Sequence, residues 1–223
     1  MRACLFDIDG TLLASGGAGK AAMDEALASE FGVTEPIAHV TMSGRTDRGI
    51  ARDQFELHAI EATPENWRRF RDAYLRRLPA SLARLEGRVL PGVESLLSQL
   101  AAAPVAVGLL TGNMSQGADT KLRHYGIDEY FSFGAYGDRH FTRDEVAEEA
   151  LRLVSQHLEE EVDPAAVWVI GDTPLDVSCA RAIGAKAFAV ATGVFSYDEL
   201  AAAGPDILLM DLSDPSPLLE LLD

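Results

Sequence analysis

Three short stretches of this sequence carry side chains that do chemistry when they meet. Asp7-Ile8-Asp9-Gly10-Thr11-Leu12 follows an apolar run at 2–6, Thr111-Gly112-Asn113 follows one at 105–110, and Gly171-Asp172-Thr173-Pro174-Leu175-Asp176 follows one at 167–170. In open parallel sheets, ligands bind beyond the carboxyl ends of the strands, so these are the places where a site is expected. Any one of the three reads as an ordinary turn; together they point to one site. Asp7, Asp9 and Asp172 would repel one another unless a hard divalent cation lay among them, and oxygen ligands of this kind suit Mg²⁺. Two of the stretches also start helices. Asn113 with Gln116, and Thr173 with Asp176 and Pro174, have the spacing of N-terminal caps. Helix N-termini carry unpaired N–H groups and partial positive charge, so two of them aimed at one point make a site for an anion such as phosphate.

The elements that must position these loops follow from the hydrophobic pattern. Apolar runs at 2–6, 105–110, 167–170, 187–191 and 206–210 read as buried strands, with helix-length amphipathic stretches at about 92–103, 114–124, 143–160 and 174–184. That alternation predicts a Rossmann-like doubly wound α/β core with a parallel sheet and helices on both faces. Residues 14–90 break the rhythm with helical stretches at roughly 17–31, 45–59 and 64–78 and no convincing strand. Thr63 and Pro64 mark the start of the third. The expected organisation is therefore a core of residues 1–13 and 91–223, with a small all-helical domain of residues 14–90 inserted after the first strand.

Composition sets the bounds. The chain has 223 residues, 48% of them hydrophobic and 24% charged, the profile of a soluble globular enzyme. No apolar run is long enough to span a bilayer and none opens the chain as a secretion signal, so the expected location is cytoplasmic. Cys4 and Cys179 are too few for a disulfide framework and read as buried thiols. The formal net charge of −16 argues against nucleic acid or an anionic membrane as partner. Its distribution says more. Of the 19 Lys+Arg and 35 Asp+Glu, residues 14–91 hold 11 of each, leaving 8 basic and 24 acidic residues in the remainder of the chain. So acidic a domain needs a cation or local basic groups to accept an anionic substrate.

The three stretches resemble the signature of the haloacid dehalogenase superfamily: Asp-x-Asp-Gly-Thr after the first strand, a Thr or Ser ending the second, and Gly-Asp-x-x-x-Asp after a later one. The likeness covers the whole chain, because a helical insert after the first motif resembles the family's small cap domain. The resemblance implies a Mg²⁺-dependent phosphatase, phosphoglycolate-phosphatase-like, acting on a small phosphorylated metabolite as a monomer or homodimer. Asp7 would be the nucleophile and Asp9 the general acid and base. Asp7, Asp172 and the backbone carbonyl of Asp9 would hold the metal. Thr111 would act in catalysis and, with Thr11, Gly112 and Asn113, bind the phosphoryl group, while Asp176 would orient the third-motif cation. The family's usual Lys is missing at that third motif, and Arg143 is the candidate, placed in the first helical turn by a Thr142/Glu145 capping box. Arg139 and Lys121 are its rivals. An Asp at position 9 argues against dehalogenation, and Gly10-Thr11 against a phosphosugar mutase, which is the alternative reading; a non-catalytic binding module is the third.

The segment Ser43-Gly44-Arg45-Thr46-Asp47 resembles a cap loop in phosphoglycolate-phosphatase-like members, in which Gly44 and Arg45 would contact the substrate. It reads equally as a helix start, with Thr46 as N-cap and Arg45 solvated. Trp67, Phe70 and Tyr74 sit at helical spacing and read first as packing within the cap.

Overall fold

The computed structural model describes residues 2–33 and 42–222. Strand β1 (Arg2–Phe6) lies at the centre of a six-stranded sheet with β4 (Val105–Leu110), β5 (Gly134–Ala135), β6 (Val167–Gly171), β7 (Lys186–Val190) and β8 (Ile207–Leu209). The order is β5-β4-β1-β6-β7-β8, and every pairing is parallel. A strand so placed is covered on both faces, which is why Ala3–Phe6 of β1 and Val167–Gly171 are apolar throughout rather than alternating with polar residues.

The period of two still decides who meets whom. Cys4 and Phe6 share one face of the sheet with Trp168, Ile170, Phe188 and Val190, and bury Leu96, Leu97 and Leu100 of α4 (Val93–Ala101) and Ala118 and Leu122 of α5 (Ser115–Tyr125). Ala3 and Leu5 face the other way with Val167, Val169, Ala187 and Ala189. There they meet Val146, Ala147 and Ala150 of α6 (Arg143–Leu158) and Val177 and Ala180 of α7 (Pro174–Ala182). The two halves of the doubly wound core thus follow from which side each strand residue takes. Short helices α8 (Tyr197–Ala202) and α9 (Ser216–Leu219) complete it. Cys4 and Cys179 are buried free thiols, and burial pushes both up to about 12.

Between β1 and α4 the chain leaves the sheet. A two-residue ribbon, β2 (Leu13–Ala14) paired antiparallel with β3 (Arg88–Val89), ties the departing and returning chains together. The described excursion is helical: α1 (Ala18–Phe31), α2 (Asp47–Leu57) and α3 (Pro64–Arg84) pack around Ala22, Leu27, Ile50, Phe55, Phe70, Tyr74 and Leu78. Thr63 caps α3 through the Asn66 N–H at 3.1 Å, with Pro64 at its first position. The helix outruns the expected end at 78 and continues through Pro79 to Arg84. Proline removes one helical hydrogen bond, but Leu78, Ser81 and Leu82 are buried against the cap, and that burial outweighs the break. The two-residue β2, β3 and β5 and the short α8 and α9 are too brief to produce a periodic signal, so the sequence pattern misses them.

Candidate active site

Asp7 ends the central strand, where its N–H still pairs with the Ile170 carbonyl at 2.9 Å, and the residue is 5% exposed. Arg143 stands opposite at the first position of α6, set there by the Thr142/Glu145 capping box. Its guanidinium donates to Asp7 Oδ1 at 3.1 Å, to the Leu110 carbonyl at 3.2 Å and to Asp176 Oδ1. It therefore links all three strand ends. Burial alone would lower the Arg143 pKa, but the Asp176 and Asp7 carboxylates outweigh it, so the net shift is upward and the charge is permanent. Arg139 takes no part in these bonds.

Oxygens of Asp7, Asp172 and Asp176 lie within 4.8 Å of one another. Burial first, then the neighbouring Asp176 and Asp7 carboxylates, drive Asp172 well above the ordinary carboxylate range. Burial also lifts Asp176 to about 6 against the pull of Arg143, with Asp7 adding to the rise. One arginine does not balance three carboxylates. Thr11 donates to Asp172 Oδ1 at 3.1 Å and so buttresses that carboxylate. Two glycines leave the Asp172 carboxylate its room: a Cβ at Gly10, whose φ is +87°, or at Gly193 would overlap it. Hard oxygens, uncompensated negative charge and a space kept clear by glycine fit a small divalent cation. The Asp9 carboxylate lies outside this cluster.

Asp9 turns to the other side of the cavity. Its Oδ2 accepts from Lys121 Nζ and from Asn113 Nδ2 at 2.9 Å, and its Oδ1 accepts from Ser15 Oγ at 3.3 Å. Burial alone would raise the Asp9 pKa, but the Lys121 ammonium and these hydrogen bonds hold it below the ordinary value. Lys121, 3% exposed, also donates to Asn113 Oδ1 at 2.6 Å. The expected capping role of Asn113 is overturned, because its amide is spent on Asp9 and on Thr111 Oγ1 at 2.8 Å and α5 has no side-chain cap. Carboxylates occupy the start of α5 instead: Met114 N–H donates to Asp47 Oδ2 at 2.8 Å, and Ser115 N–H to Asp138. That N-terminus is therefore not open to a phosphate. The Thr173/Asp176 cap of α7 does form, with both reciprocal bonds present.

Thr111 is fully buried, and its hydroxyl accepts from the Asn113 main chain and side chain. Neither it nor Thr11 lines the cavity, whereas Gly112, Asn113, Gly44 and Arg45 do. That cavity, of about 590 Å³, is bounded by Asp7, Asp9, Asp172 and Arg143 below and by helices of the insert above.

The insert is docked onto the core by several contacts. Thr46 caps α2 through the Gly49 N–H at 3.0 Å, as a helix start requires, yet the same loop reaches the site. Gly44, with φ +73°, lies so close to Thr173 that a Cβ would overlap its hydroxyl, and a Cβ on Gly112 would overlap the Arg45 carbonyl. Arg45 pairs with Asp53 at 2.5 Å within the insert. Asp47 N–H donates to the Gly112 carbonyl at 2.7 Å, so Asp47 and the loop after β4 exchange two hydrogen bonds. Farther out, Arg48 and Arg52 stack over Phe141 at 4.9 and 5.1 Å.

In the sequence Asp47 reads as the end of a cap-loop-like segment or as part of a helix start, without a role of its own. Burial, then the Asp9 and Asp138 carboxylates, raise it to about 7 against Lys121 and the Met114 N–H, from an ordinary 3.8. Between those values the folded protein holds a proton that the unfolded chain has released. Stability from this group is therefore present below about pH 4 and lost as pH rises towards 7. Asp47→Asn keeps an acceptor for Met114 but cannot ionise. Thermal melts should show the variant gaining several degrees on the parent between pH 5 and pH 8; a constant offset would show that Asp47 does not titrate in this window.

With the geometry in place, the class is clear: a Rossmann-like, doubly wound α/β fold whose carboxylates, arginine and helical cover converge on one cavity at the carboxyl edge of the sheet. Residues 1–184 match the family model for haloacid dehalogenase-like hydrolases, and the chain belongs to that family. It is 32% identical over 218 residues to a phosphoglycolate phosphatase of Synechococcus elongatus, covering 96% of this chain and 95% of the relative. Its structure is similar to that of CbbY from Rhodobacter sphaeroides in complex with phosphate, with a TM-score of 0.75 and 21% identity over 96% of each chain. The protein is a phosphoric monoester hydrolase of this family.

Residues missed by motif reasoning have a common cause. Lys121, weighed only as a rival of Arg143, sits mid-helix four residues after Gly117, so the two share one face of α5, the helix that Asn113 leads into. That spacing was available as a signal. Ser15 and Thr192, whose hydroxyl donates to the Gly10 carbonyl at 2.5 Å, arrive from loops without periodicity and gave none, and Asp47, the first residue of α2, gave no sign of its burial at the cavity.

Proposed function

We propose that this chain hydrolyses a small phosphate monoester, with 2-phosphoglycolate as the leading substrate, through a phospho-aspartate on Asp7. One observation carries the reading: Asp7 ends the central strand against Arg143 and Asp172, while Asp9, two residues on, faces the same cavity. Asp7 attacks phosphorus as the bond to the leaving oxygen breaks, and Asp9 delivers a proton to that oxygen. Asp9 then takes a proton from the water that cleaves the acyl phosphate, releasing inorganic phosphate and restoring Asp7. Lys121 and the hydrogen bonds hold Asp9 ionised in the free protein, which suits the second step. A phosphoryl dianion entering beside it pushes the carboxyl back upward and supplies the proton-bearing form for the first. Arg143 holds Asp7 in place through its guanidinium hydrogen bond.

Asp7 and Asp172, with the main-chain oxygen of Asp9, would hold Mg²⁺. When bound, the ion offsets repulsion between the attacking carboxylate and the phosphoryl oxygens. Gly112 and Asn113 are the phosphoryl-side contacts, Thr111 and Thr11 acting from behind through Asn113 and Asp172. Residues 14–90 serve as a cap domain over a core of 1–13 and 91–223, with Gly44 and Arg45 at its edge. A small substrate suits the similarity to the Synechococcus phosphatase. No described helix is long and apolar enough to cross a membrane, and a cytoplasmic metabolite is the expected partner.

A phosphate-release assay over a panel of small esters tests this reading. EDTA should reduce release at least 100-fold, with Mg²⁺ restoring it. Turnover indifferent to chelator would remove the metal from the reading, and no release from any ester would remove the reading itself.

A further inference from the structure

Beside Asp9, away from Arg143, the cavity contains hydrogen-bond donors that the protein leaves unused. Tyr74 is fully buried, yet its hydroxyl has no hydrogen-bond partner among the described residues. It lines the cavity. Leaving a buried hydroxyl unpaired is costly, so a fixed one facing a cavity marks a place where a ligand makes the bond. Burial pushes the Tyr74 phenol well above its ordinary value, with Asp47 and Asp9 adding to the rise, so the group remains a donor at any working pH. Lys121 has three ammonium protons and spends two, on Asp9 and Asn113.

Both donors converge on Gly19. A Cβ at that position would lie 3.4 Å from Lys121 Nζ and 4.0 Å from Tyr74 Oη. Gly19 and Lys20 form the first turn of the 14-residue helix α1, which starts at Gly17 with no side-chain cap. The Ala18 and Ala21 N–H groups bond Ser15 and Gly17, but no main-chain acceptor among the described residues takes those of Gly19 and Lys20. Gly16, Gly17, Gly19 and Lys20 all line the cavity.

Resting on the phosphatase reading above, we propose that Tyr74, the third proton of Lys121 and the first turn of α1 form a subsite for a carboxylate on the leaving group. The charges about it are mixed: Lys121 and the helix start are positive, while Asp9 and Asp47 are acidic and share the Lys121 field. Selectivity therefore comes from the directed donors rather than from bulk positive potential. Position sets the length of the leaving group. The ammonium that reaches the subsite also bonds the Asp9 carboxylate that would protonate the leaving oxygen, so the two anionic ends must be separated by only one or two carbons. A two-carbon phospho-acid satisfies this, whereas a sugar phosphate would have to place a hydroxyl or ring carbon against these donors.

Paired substrates test the subsite: 2-phosphoglycolate against ethyl phosphate, which replaces the carboxylate by a methyl group. The parent should favour phosphoglycolate in kcat/KM by roughly 100-fold. Tyr74→Phe should shrink that preference about tenfold, mainly through KM for phosphoglycolate. Gly19→Ala, which places a methyl where the carboxylate would lie, should shrink it likewise. An unchanged preference in both variants, or an equal fall for both substrates, overturns the subsite and leaves the phosphatase reading standing. If the parent hydrolyses neither ester, titration calorimetry of 2-phosphoglycolate into Asp7→Asn and into the same protein also carrying Tyr74→Phe decides. Binding about tenfold weaker in the latter supports the subsite, and equal binding or none at all overturns it.

Discussion

Asp7→Asn is expected to lower kcat for phosphate release by roughly 10⁴-fold or more while leaving the fold intact. The amide has the shape of the carboxylate, so Arg143 keeps a hydrogen-bond acceptor and β1 keeps its buried packing. What is lost is the nucleophile. The substitution also removes one of three crowded carboxylates, and burial with like charge already drives Asp172 upward. The thermal midpoint of the variant should therefore stay within a few degrees of the parent, which separates a chemical defect from a folding one. A second readout is direct: parent protein quenched in acid during turnover should carry phosphate on Asp7, labile to hydroxylamine as an acyl phosphate is. Release by Asp7→Asn at the parent rate, or no acyl phosphate under saturating substrate, would remove the nucleophile assignment.

How far the sequence reached differs between the sheet and the cavity, for physical reasons. Strand positions were legible because a central parallel strand must be apolar over its whole length, and β1, β4 and β6 begin and end within a residue of their apolar runs. The loops after them were legible because catalysis needs unusual residue types at strand ends, and Asp7, Asp172 and Arg143 do meet. The helix starts were less so. Thr142 and Thr173 cap as spacing predicts, since nothing else competes for their hydroxyls. Asn113 has the same local pattern but finds Asp9 and Lys121 within reach, and long-range partners win over a local cap. Asp47 and Tyr74 are the extreme case. Each looks like an ordinary helix residue, and each becomes distinctive only because the insert folds down and buries it at the cavity. No local pattern encodes that docking; it depends on Gly44, Gly112 and Phe141, which come from separate parts of the chain.

Arg143 is where stability and chemistry are most tightly joined, and it carries the second large expected effect. Its guanidinium contacts Asp7, Asp176 and the Leu110 carbonyl while 4% exposed. Arg143→Met preserves much of the volume but strands three buried carboxylates without a cation. Breaking a buried ion pair in this way costs about 3–5 kcal/mol, so the metal-free variant should melt roughly 10 °C lower for a chain of this size. Its kcat should fall roughly 10²–10⁴-fold, because Asp7 loses the group that aims it and the site loses a fixed positive charge. Arg143→Lys separates the two effects. A single ammonium can serve Asp7 but cannot also fork to Asp176 and the Leu110 carbonyl. That variant should therefore lose several degrees of thermal midpoint while retaining activity within about tenfold of the parent. If both variants melt low yet turn over at the parent rate, Arg143 is only the core's structural counter-ion. If Arg143→Lys is as inactive as Arg143→Met, the forked geometry itself is required, and the arginine at this position is a demand of the reaction rather than an exchangeable charge.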